Sequence, residues 1–207
     1  PATSPRCARC ALPFDSGVDH RCSSCLADPP AFERVAAGHL YGGALAAAIS
    51  RLKYAPRPEL ARPLAALMPE LEPALGGLLD AARGSPPILV PVPLHPRRLA
   101  ERGFNQSALL ARRFAAGRDL PVDAGALERT RDTPHQAAHG RAERLRALAG
   151  AFCCPAPARV AGRRVVLVDD VVTTTATARA AARSLSAAGA ASVTVLCLAR
   201  APLDAAG

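Results

Sequence analysis

The chain has 207 residues, a formal net charge of +9 and an apolar share of 50%, which suit one domain of ordinary size with a small appendage. No apolar run reaches the roughly 18 residues of a membrane span, and no signal-peptide pattern opens the sequence, so we expect a cytoplasmic protein without membrane insertion. Residues 85–207 carry 17 basic and 9 acidic side chains, against 9 and 8 in residues 1–84.

This excess of positive charge suits an anionic ligand, such as a nucleotide, a pyrophosphate or a nucleic acid. A solvated arginine-rich surface is the alternative, and it is favoured for the scattered charges. Lys53 is the single lysine among the 26 basic residues. A single lysine in so arginine-rich a chain favours a specific role for its compact ammonium group, although chance explains its presence equally well.

Four cysteines near the N-terminus form two C-x2-C pairs separated by eleven residues, namely Cys7, Cys10, Cys22 and Cys25. Each pair fits a tight turn with both thiolates directed at one tetrahedral Zn²⁺, and four cysteines complete a structural zinc site. Residues 1–30, here called the cysteine knuckle, have too few large apolar side chains to fold alone, so metal binding would stabilise them. Two disulfides or free thiols are the alternative, and a reducing compartment disfavours the disulfides.

The next segments alternate between helical and extended patterns. Alanine and leucine dominate residues 40–68, and the prolines there predict two helices broken near residues 54–58. A third helix is expected over residues 70–83. The short apolar run of residues 88–92 predicts a buried strand.

Arginines and amides follow this strand closely, over residues 95–106. Ligands of α/β sheets bind at the carboxyl ends of strands, and arginine forks match phosphate oxygens, so a diphosphate is a plausible occupant. A turn with solvated arginines is equally compatible with this segment alone. Residues 105–116 then predict a helix whose apolar face, with Leu109, Leu110 and Phe114, packs in the core.

Residues 117–150 have little apolar pattern and much positive charge, which indicates a mobile arm or lid. His135 and His139 lack an evident carboxylate partner, and we interpret them as solvated. Cys153 and Cys154 form no second metal-binding pair and are expected to pack.

Residues 165–177 are the most informative stretch, because four apolar residues lead into Asp169, Asp170 and a threonine-rich loop. The pattern predicts a strand, a loop and a helix over residues 176–188, which Gly189 ends. Paired carboxylates at a strand end can bind sugar hydroxyls, directly or through Mg²⁺, while backbone amides of the helix start bind phosphate. The alternative interpretation is that Asp169 and Asp170 only cap a helix. A last strand is expected over residues 192–199, with Cys197 buried, and the alternation favours a mostly parallel sheet covered on both faces.

This strand, acidic pair and threonine loop resemble the phosphoribosyl pyrophosphate (PRPP) motif of type I phosphoribosyltransferases. Neither a P-loop nor a G-x-G-x-x-G motif is present. The ordered set of motifs is similar to the ComF family: the four cysteines, Leu52-Lys53-Tyr54, residues 91–98, residues 102–106, Arg129 with Gln136, residues 150–152 and the PRPP motif. The resemblance implies an α/β fold, a type I phosphoribosyltransferase-like parallel sheet flanked by helices over residues 31–207. It also implies a small N-terminal zinc ribbon over residues 1–30 and a flexible lid within residues 129–150.

The resemblance also implies roles for individual residues. Asp169 and Asp170 would be catalytic, contacting the ribose hydroxyls with Mg²⁺ nearby. The PRPP-binding residues would be Thr173, Thr174, Thr175, Ala176, Thr177, Lys53, His95, Arg97, Arg98 and Arg102, with residues 94–98 as the pyrophosphate loop. The lid and nucleic-acid candidates would be Arg129, Arg131, Gln136, Arg141, Arg144 and Arg146. Two positions depart from the family, since Thr175 replaces a usual glycine and Ala147 replaces a common asparagine, and a threonine resists positive φ.

The function implied is Mg²⁺-dependent PRPP binding in natural competence, where single-stranded DNA is handled beside a helicase-like partner. Phosphoribosyl transfer would stabilise a ribosyl cation and a leaving pyrophosphate through positioned charge. Two other functions are open: a metabolic phosphoribosyltransferase resembling amidophosphoribosyltransferases, and a non-catalytic nucleic-acid-binding scaffold.

Overall fold

A four-stranded parallel sheet forms the centre of the protein, for which a computed structural model describes residues 5–55, 57–68, 77, 85–132 and 146–202. The strands are β1 (Arg34–Leu40), β2 (Ile88–Pro91), β3 (Glu128–Arg129), β4 (Phe152–Cys153), β5 (Arg164–Val172) and β6 (Ser192–Arg200). The order in the sheet is β1-β6-β5-β2, with every neighbouring pair parallel, whereas β3 and β4 form a separate antiparallel ribbon.

Helices connect these strands. Those in the described ranges are α1 (Ser23–Ala27), α2 (Gly43–Tyr54), α3 (Ala61–Ala65), α4 (Pro96–Arg102), α5 (Gln106–Ala115) and α6 (Ala176–Ala187). Pro58 begins a short 3-10 turn, Pro58–Leu60, because a proline cannot continue the hydrogen bonding of α2. No helix in these ranges combines the length and the apolar character needed to cross a membrane.

Both faces of the sheet are covered. Because side chains alternate along a strand, Val165 and Leu167 of β5 pack in one buried cluster with α6, and Val166 and Val168 pack in another with α2, α3 and α5. Burial on both faces explains why β5 is apolar without alternation. The predicted α/β fold, a parallel sheet flanked by helices, is confirmed.

Most predicted elements are present, with three differences. The strands at residues 88–92, 165–168 and 192–199 are confirmed, as are the broken pair of helices after residue 40 and the helices near residues 105–116 and 176–188. β1 and α4 were not predicted, and β5 extends through the acidic pair to Val172. The third helix, predicted over residues 70–83, lies outside the described residues except for residue 77.

The cysteine knuckle packs directly on the sheet. Its four cysteines and Leu12 belong to the same buried cluster as Val35 of β1 and Leu185 of α6. The amide of Val35 also donates to the carbonyl of Arg9 at 2.9 Å. Apolar and backbone contacts therefore cross the boundary predicted at residue 30, and the division into two domains stays a prediction.

Candidate functional site

The four thiols of the cysteine knuckle converge on one point. The Sγ atoms of Cys7, Cys10, Cys22 and Cys25 lie within 4.8 Å of one another, and all four residues are buried. The Sγ atoms of Cys10 and Cys22 are 3.7 Å apart, close to the separation of about 3.8 Å that tetrahedral bonds of about 2.3 Å to zinc produce. None of the four forms a disulfide. This donor set fits a metal ion such as zinc.

Hydrogen bonds favour the thiolate form of Cys7. The amides of Cys10 and Cys22 donate to its Sγ at 3.5 and 3.3 Å. Burial raises the pKa of the Cys7 thiol, but the amide hydrogen bonds outweigh it and lower the pKa to about 7. Burial raises the pKa of the Cys25 thiol, so a bound cation is needed for all four to be thiolates.

The other cysteines and His20 take no part in this cluster. His20 stacks on Phe14 with ring centroids 4.1 Å apart, and its Nδ1 lies 2.8 Å from the carbonyl oxygen of Val18. Cys197 is fully buried in β6, as predicted, while Cys153 and Cys154 are half-buried.

The acidic pair lies at the carboxyl end of β5, within the strand and not in the loop that follows it. Ser107 Oγ donates to Asp169 Oδ1 at 3.1 Å, and Gln106 Nε2 donates to Asp170 Oδ1 at 3.5 Å. Lys53 Nζ forms an ion pair with Asp170 Oδ2. The last turn of α2 and the first turn of α5 therefore orient both carboxylates.

Burial controls the protonation of Asp169. Burial and the neighbouring Asp170 carboxylate raise the pKa of Asp169 to about 7, against the opposing effect of the Lys53 ammonium. Burial lowers the pKa of Lys53, but the carboxylates of Asp170 and Asp169 outweigh it, and the net direction is upward. Lys53 is thus charged at neutral pH, while Asp169 exchanges its proton near neutrality.

The predicted phosphate loop, residues 173–177, joins β5 to α6. Thr175 has φ 67° and ψ 0°, so it adopts the left-handed conformation that we expected a threonine to resist. Its Oγ1 accepts a hydrogen bond from Arg179 Nε at 3.1 Å, which stabilises this geometry. The hydroxyl of Thr174 accepts from the Ala176 amide at 3.5 Å. Two of the threonine hydroxyls are therefore already engaged within the protein.

The pocket beside this loop is small. Its volume is about 30 Å³, and its lining consists of Asp169 and residues 171–178. That is room for about one water molecule. A phosphate group would enter only if the loop widened.

A larger cleft adjoins the acidic pair. It has a volume of about 470 Å³ and is lined by Lys53, Tyr54, Arg97, Arg98, Glu101, Arg102 and Asp132. Arg97 and Arg98 lie in the first turn of α4, so the predicted pyrophosphate loop is helical from Pro96. His95 caps this helix, since its Nδ1 accepts from the Arg97 amide at 3.3 Å, and it is not among the lining residues. We call this cavity the arginine cleft.

A chain of polar contacts connects the arginine cleft to the acidic pair. Arg102 Nη1 donates to Gln106 Oε1 at 2.5 Å, and Gln106 Nε2 donates to Asp170. The Arg102 guanidinium lies over the ring of Tyr54, 5.6 Å from its centroid. The two parts of the crevice are thus coupled through α5.

Asp132 places a negative charge beside the arginines of the cleft. Its carboxylate oxygens lie 3.4 Å from Arg98 Nε and 3.8 Å from Arg97 Nη1. An anionic ligand would compete with Asp132 for these guanidinium groups. Asp132 would therefore weaken the binding of an anion at the cleft.

The structure describes only part of the predicted lid. Arg129 lies in β3, and burial together with the positive charge of Arg98 lowers its pKa. Arg131 Nη1 donates to the carbonyl oxygen of Ala149 at 3.2 Å, and Arg146 is exposed in a short helical turn. Outside the described residues lie Gln136, Arg141 and Arg144, with His135 and His139.

Several residues at the site were not singled out from the sequence, namely Ser107, Glu101, Asp132, Arg179 and Arg200. Ser107 contacts a carboxylate 62 positions away, and Asp132 contacts an arginine 34 positions away, so local pattern carries no signal for either contact. Arg179 is an exception. Its position one turn after Thr175, inside an alanine-rich helix, was a visible signal of a specific contact.

The arrangement combines carboxylates, a loop at a helix N-terminus and a basic cleft. Carboxylates bind hydroxyl groups or Mg²⁺, and the other two features bind phosphate. A ligand that carries both hydroxyl and phosphate groups matches all three.

Comparison with known proteins agrees with this description. A family model described as "Phosphoribosyl transferase domain" matches residues 77–205. The "DNA utilization protein YhgH" of Escherichia coli (strain K12) is 37% identical over 198 residues, which cover 94% of this chain and 83% of the relative. The relative of the same name from Salmonella typhimurium is 36% identical over 94% of this chain and 83% of its own length. "Competence protein F" of Haemophilus influenzae is 30% identical over 203 residues, covering 95% of this chain and 85% of the relative.

Proposed function

The chain belongs to the ComF family, and we propose that it binds PRPP, or a related ribose phosphate, in a Mg²⁺-dependent manner at the crevice beside β5. It does so in the handling of incoming DNA. The relatives carry the names "DNA utilization protein" and "Competence protein F", and these names support the second part of the proposal.

One observation carries the ligand proposal. Asp169 and Asp170 lie at the carboxyl end of β5, between the phosphate loop and the arginine cleft. A ribose bound to the carboxylates would direct its 5′-phosphate toward the start of α6 and its pyrophosphate toward Arg98 and Arg102. These two phosphate-binding regions, on either side of the carboxylates, match the charge distribution of PRPP.

The carboxylate oxygens of the acidic pair are a donor type that Mg²⁺ prefers, so the residues present fit this ion. When bound, Mg²⁺ would neutralise the charge that develops on the leaving pyrophosphate. Lys53 and Arg102, which line the arginine cleft, would hold the diphosphate there. Because the deprotonated carboxylate is the better ligand, the raised pKa of Asp169 would make ligand binding stronger above about pH 7 than below it.

Isothermal titration with PRPP, in the presence and absence of Mg²⁺, tests the ligand. We expect saturable binding that requires Mg²⁺ and weakens at least about tenfold in the double variant Asp169→Asn, Asp170→Asn. The matched control is Asp123→Asn, because the Asp123 carboxylate pairs with Arg159 outside the crevice, 2.8 Å from its Nε. No heat at millimolar PRPP, or equal binding in the double variant, contradicts the proposal.

Release of pyrophosphate from PRPP across a panel of amine, base and nucleic-acid acceptors tests for transfer activity. Turnover with ammonia or a free base favours the metabolic alternative. Binding without turnover on any acceptor favours a protein that senses or retains the ligand.

A second candidate function is contact with single-stranded DNA at the arginine cleft. The supporting observation is Tyr54, which is 68% exposed beside Arg102 and offers a ring for base stacking. Affinity for an oligonucleotide should fall with salt with a slope near −2, for three phosphate contacts. Tyr54→Ala should weaken binding by about tenfold, whereas Tyr54→Phe keeps the ring and should bind normally. A slope near zero, or equal binding by both variants, excludes this function.

A further inference from the structure

Two fully buried arginines join the cysteine knuckle to the phosphate loop. Arg200, at the end of β6, is 0% exposed, and its Nε donates to the carbonyl oxygen of Cys10 at 2.9 Å. Its Nη1 donates to the carbonyl oxygens of Val172 and Thr173, at 3.1 and 2.5 Å. One side chain therefore contacts a cysteine residue of the knuckle and the backbone that enters the loop.

Arg179 makes the same connection from α6. It is 1% exposed, and its Nε donates to Thr175 Oγ1 at 3.1 Å. Its Nη1 contacts the carbonyl oxygen and Oδ2 of Asp28 at 2.7 and 2.9 Å, and its Nη2 lies 3.9 Å from Cys25 Sγ. The residue that fixes the left-handed Thr175 is thus itself fixed by the knuckle.

A metal-loaded knuckle would explain why these arginines are buried here. Four thiolates on a divalent ion would leave a net negative charge, which two adjacent guanidinium groups would offset. Among the described residues, the hydrogen bonds of Arg200 go to carbonyl oxygens and not to a carboxylate. A metal-loaded knuckle would be the counterion that allows this burial.

We propose that Arg179 and Arg200 are positioning residues through which the metal-loaded cysteine knuckle sets the conformation of the phosphate loop. The knuckle then contributes to ligand binding without contacting the ligand. This proposal rests on the proposed phosphate site, but its principal test is made without ligand.

The test is amide hydrogen exchange on the 207-residue chain loaded with zinc. The amide of Arg179 donates to the carbonyl oxygen of Thr175 at 2.8 Å, and that of Ala201 donates to Val172 at 3.0 Å, so both report on the loop. The amide of Asp123 donates to Leu89 at the far edge of the sheet and is the internal reference. Arg179→Gln and Arg200→Gln should speed exchange about tenfold at positions 179 and 201, and less than twofold at position 123.

Arg183→Gln is the matched control, since Arg183 reaches the same Asp28 carboxylate from the same helix, at 3.6 Å, and is half exposed. It should leave exchange at all three positions unchanged. Equal acceleration at all three positions in Arg179→Gln and Arg200→Gln, or no acceleration at any, overturns the proposal. Zinc content, at one ion per chain, confirms that each variant retains the knuckle.

Titration with PRPP separates this proposal from the proposed function. Where the wild-type protein binds, Arg179→Gln and Arg200→Gln should each weaken binding about tenfold, and equal binding overturns the proposal. Where the wild-type protein does not bind PRPP, the ligand assignment fails, and the exchange result alone decides whether the two arginines position the loop.

Discussion

Thr175 adopts a backbone conformation that costs a β-branched residue of the order of 1 kcal/mol or more, and a single side-chain contact stabilises it. The contact is the hydrogen bond from Arg179 Nε to Thr175 Oγ1. A charged donor left unpaired in a buried site costs about 1–3 kcal/mol, so the hydroxyl group offsets the strain. A glycine at this position would be free of the strain but would leave Arg179 without this acceptor.

The substitution Thr175→Val therefore separates the hydroxyl from the backbone strain, since valine has the same shape and the same β-branching. We expect it to lower the free energy of unfolding by about 1–3 kcal/mol, measured by denaturant titration. Thr175→Ser keeps the hydroxyl and should change the stability by less than about 0.5 kcal/mol. Similar losses in both variants would show that the contact with Arg179 is unimportant.

Asp169 gives the stability a specific pH dependence. Its pKa is about 7 in the folded protein and about 4 in an unfolded chain, so the folded state binds more protons between these values. Stability contributed by this group is therefore present below about pH 4 and is lost as the pH rises to 7.

Asp169→Asn should accordingly raise the melting temperature at pH 8 and have little effect at pH 4, measured without Mg²⁺. Asp170→Asn should lower the melting temperature at pH 8, because it leaves the buried Lys53 ammonium without its partner. Destabilisation by Asp169→Asn at pH 8 would contradict the assigned cause.

The sequence predicts residues whose side-chain type and spacing indicate a chemical role. It does not predict residues whose role depends on a tertiary contact. Asp169 and Asp170 are adjacent and follow an apolar run, so their chemistry was visible. The supporting role of Ser107 depends on the packing of α5 beside β5, which no local pattern encodes. Arg200 looked like an ordinary basic residue at a strand end, and only its burial reveals its contacts.

At the scale of elements, helix α5 fixes both halves of the crevice because its N-terminus is anchored to the end of β2. The Asn105 Oδ1 atom accepts from the amides of Ser107 and Ala108 at 2.9 and 3.3 Å. Its Nδ2 donates to the carbonyl oxygen of Val92 at 3.0 Å. The cap thus holds the turn from which Gln106 and Ser107 reach the acidic pair.

Asn105→Ala should cost about 1–2 kcal/mol of stability through the lost cap and should weaken PRPP binding as well. Asn105→Asp keeps the capping acceptor but not the Nδ2 donor, so it should retain most of the stability. Thermal unfolding and titration with PRPP check both. A loss of stability with unchanged binding would show that the cap does not position the acidic pair.

The missed elements share a physical cause. β1 contains the small residues Ala36, Ala37 and Gly38, with no alternation, and it is a strand because it pairs with β6. Local propensity is a weak guide for such a segment, since tertiary pairing decides its state. Helix α4 was not predicted because its three arginines suggested a ligand-binding loop. Pro96 in its first turn and Gly103 at its end are nevertheless typical of a helix.

At the scale of the whole molecule, the cysteine knuckle and the sheet share one buried cluster. We therefore expect the knuckle, the sheet and α6 to unfold as one cooperative unit, to whose stability a bound metal ion would contribute. Structural zinc contributes about 10–16 kcal/mol of binding free energy, whereas a domain has a net stability of about 5–15 kcal/mol. If zinc is bound, its loss would therefore remove a large part of the stability of the protein.

The full chain should consequently unfold in a single thermal transition when loaded with zinc, and addition of a chelator should lower the melting temperature of the entire transition. The physical reason is that the cysteine side chains, Val35 and Leu185 lose their common packing together. Scanning calorimetry and near-ultraviolet circular dichroism, with and without chelator, measure this. A chain in which all four cysteines are serine should behave like the chelated protein, whereas Cys153→Ser, outside the cluster, should not. Two separate transitions, with only the smaller one sensitive to chelator, would instead establish the knuckle as an independent domain.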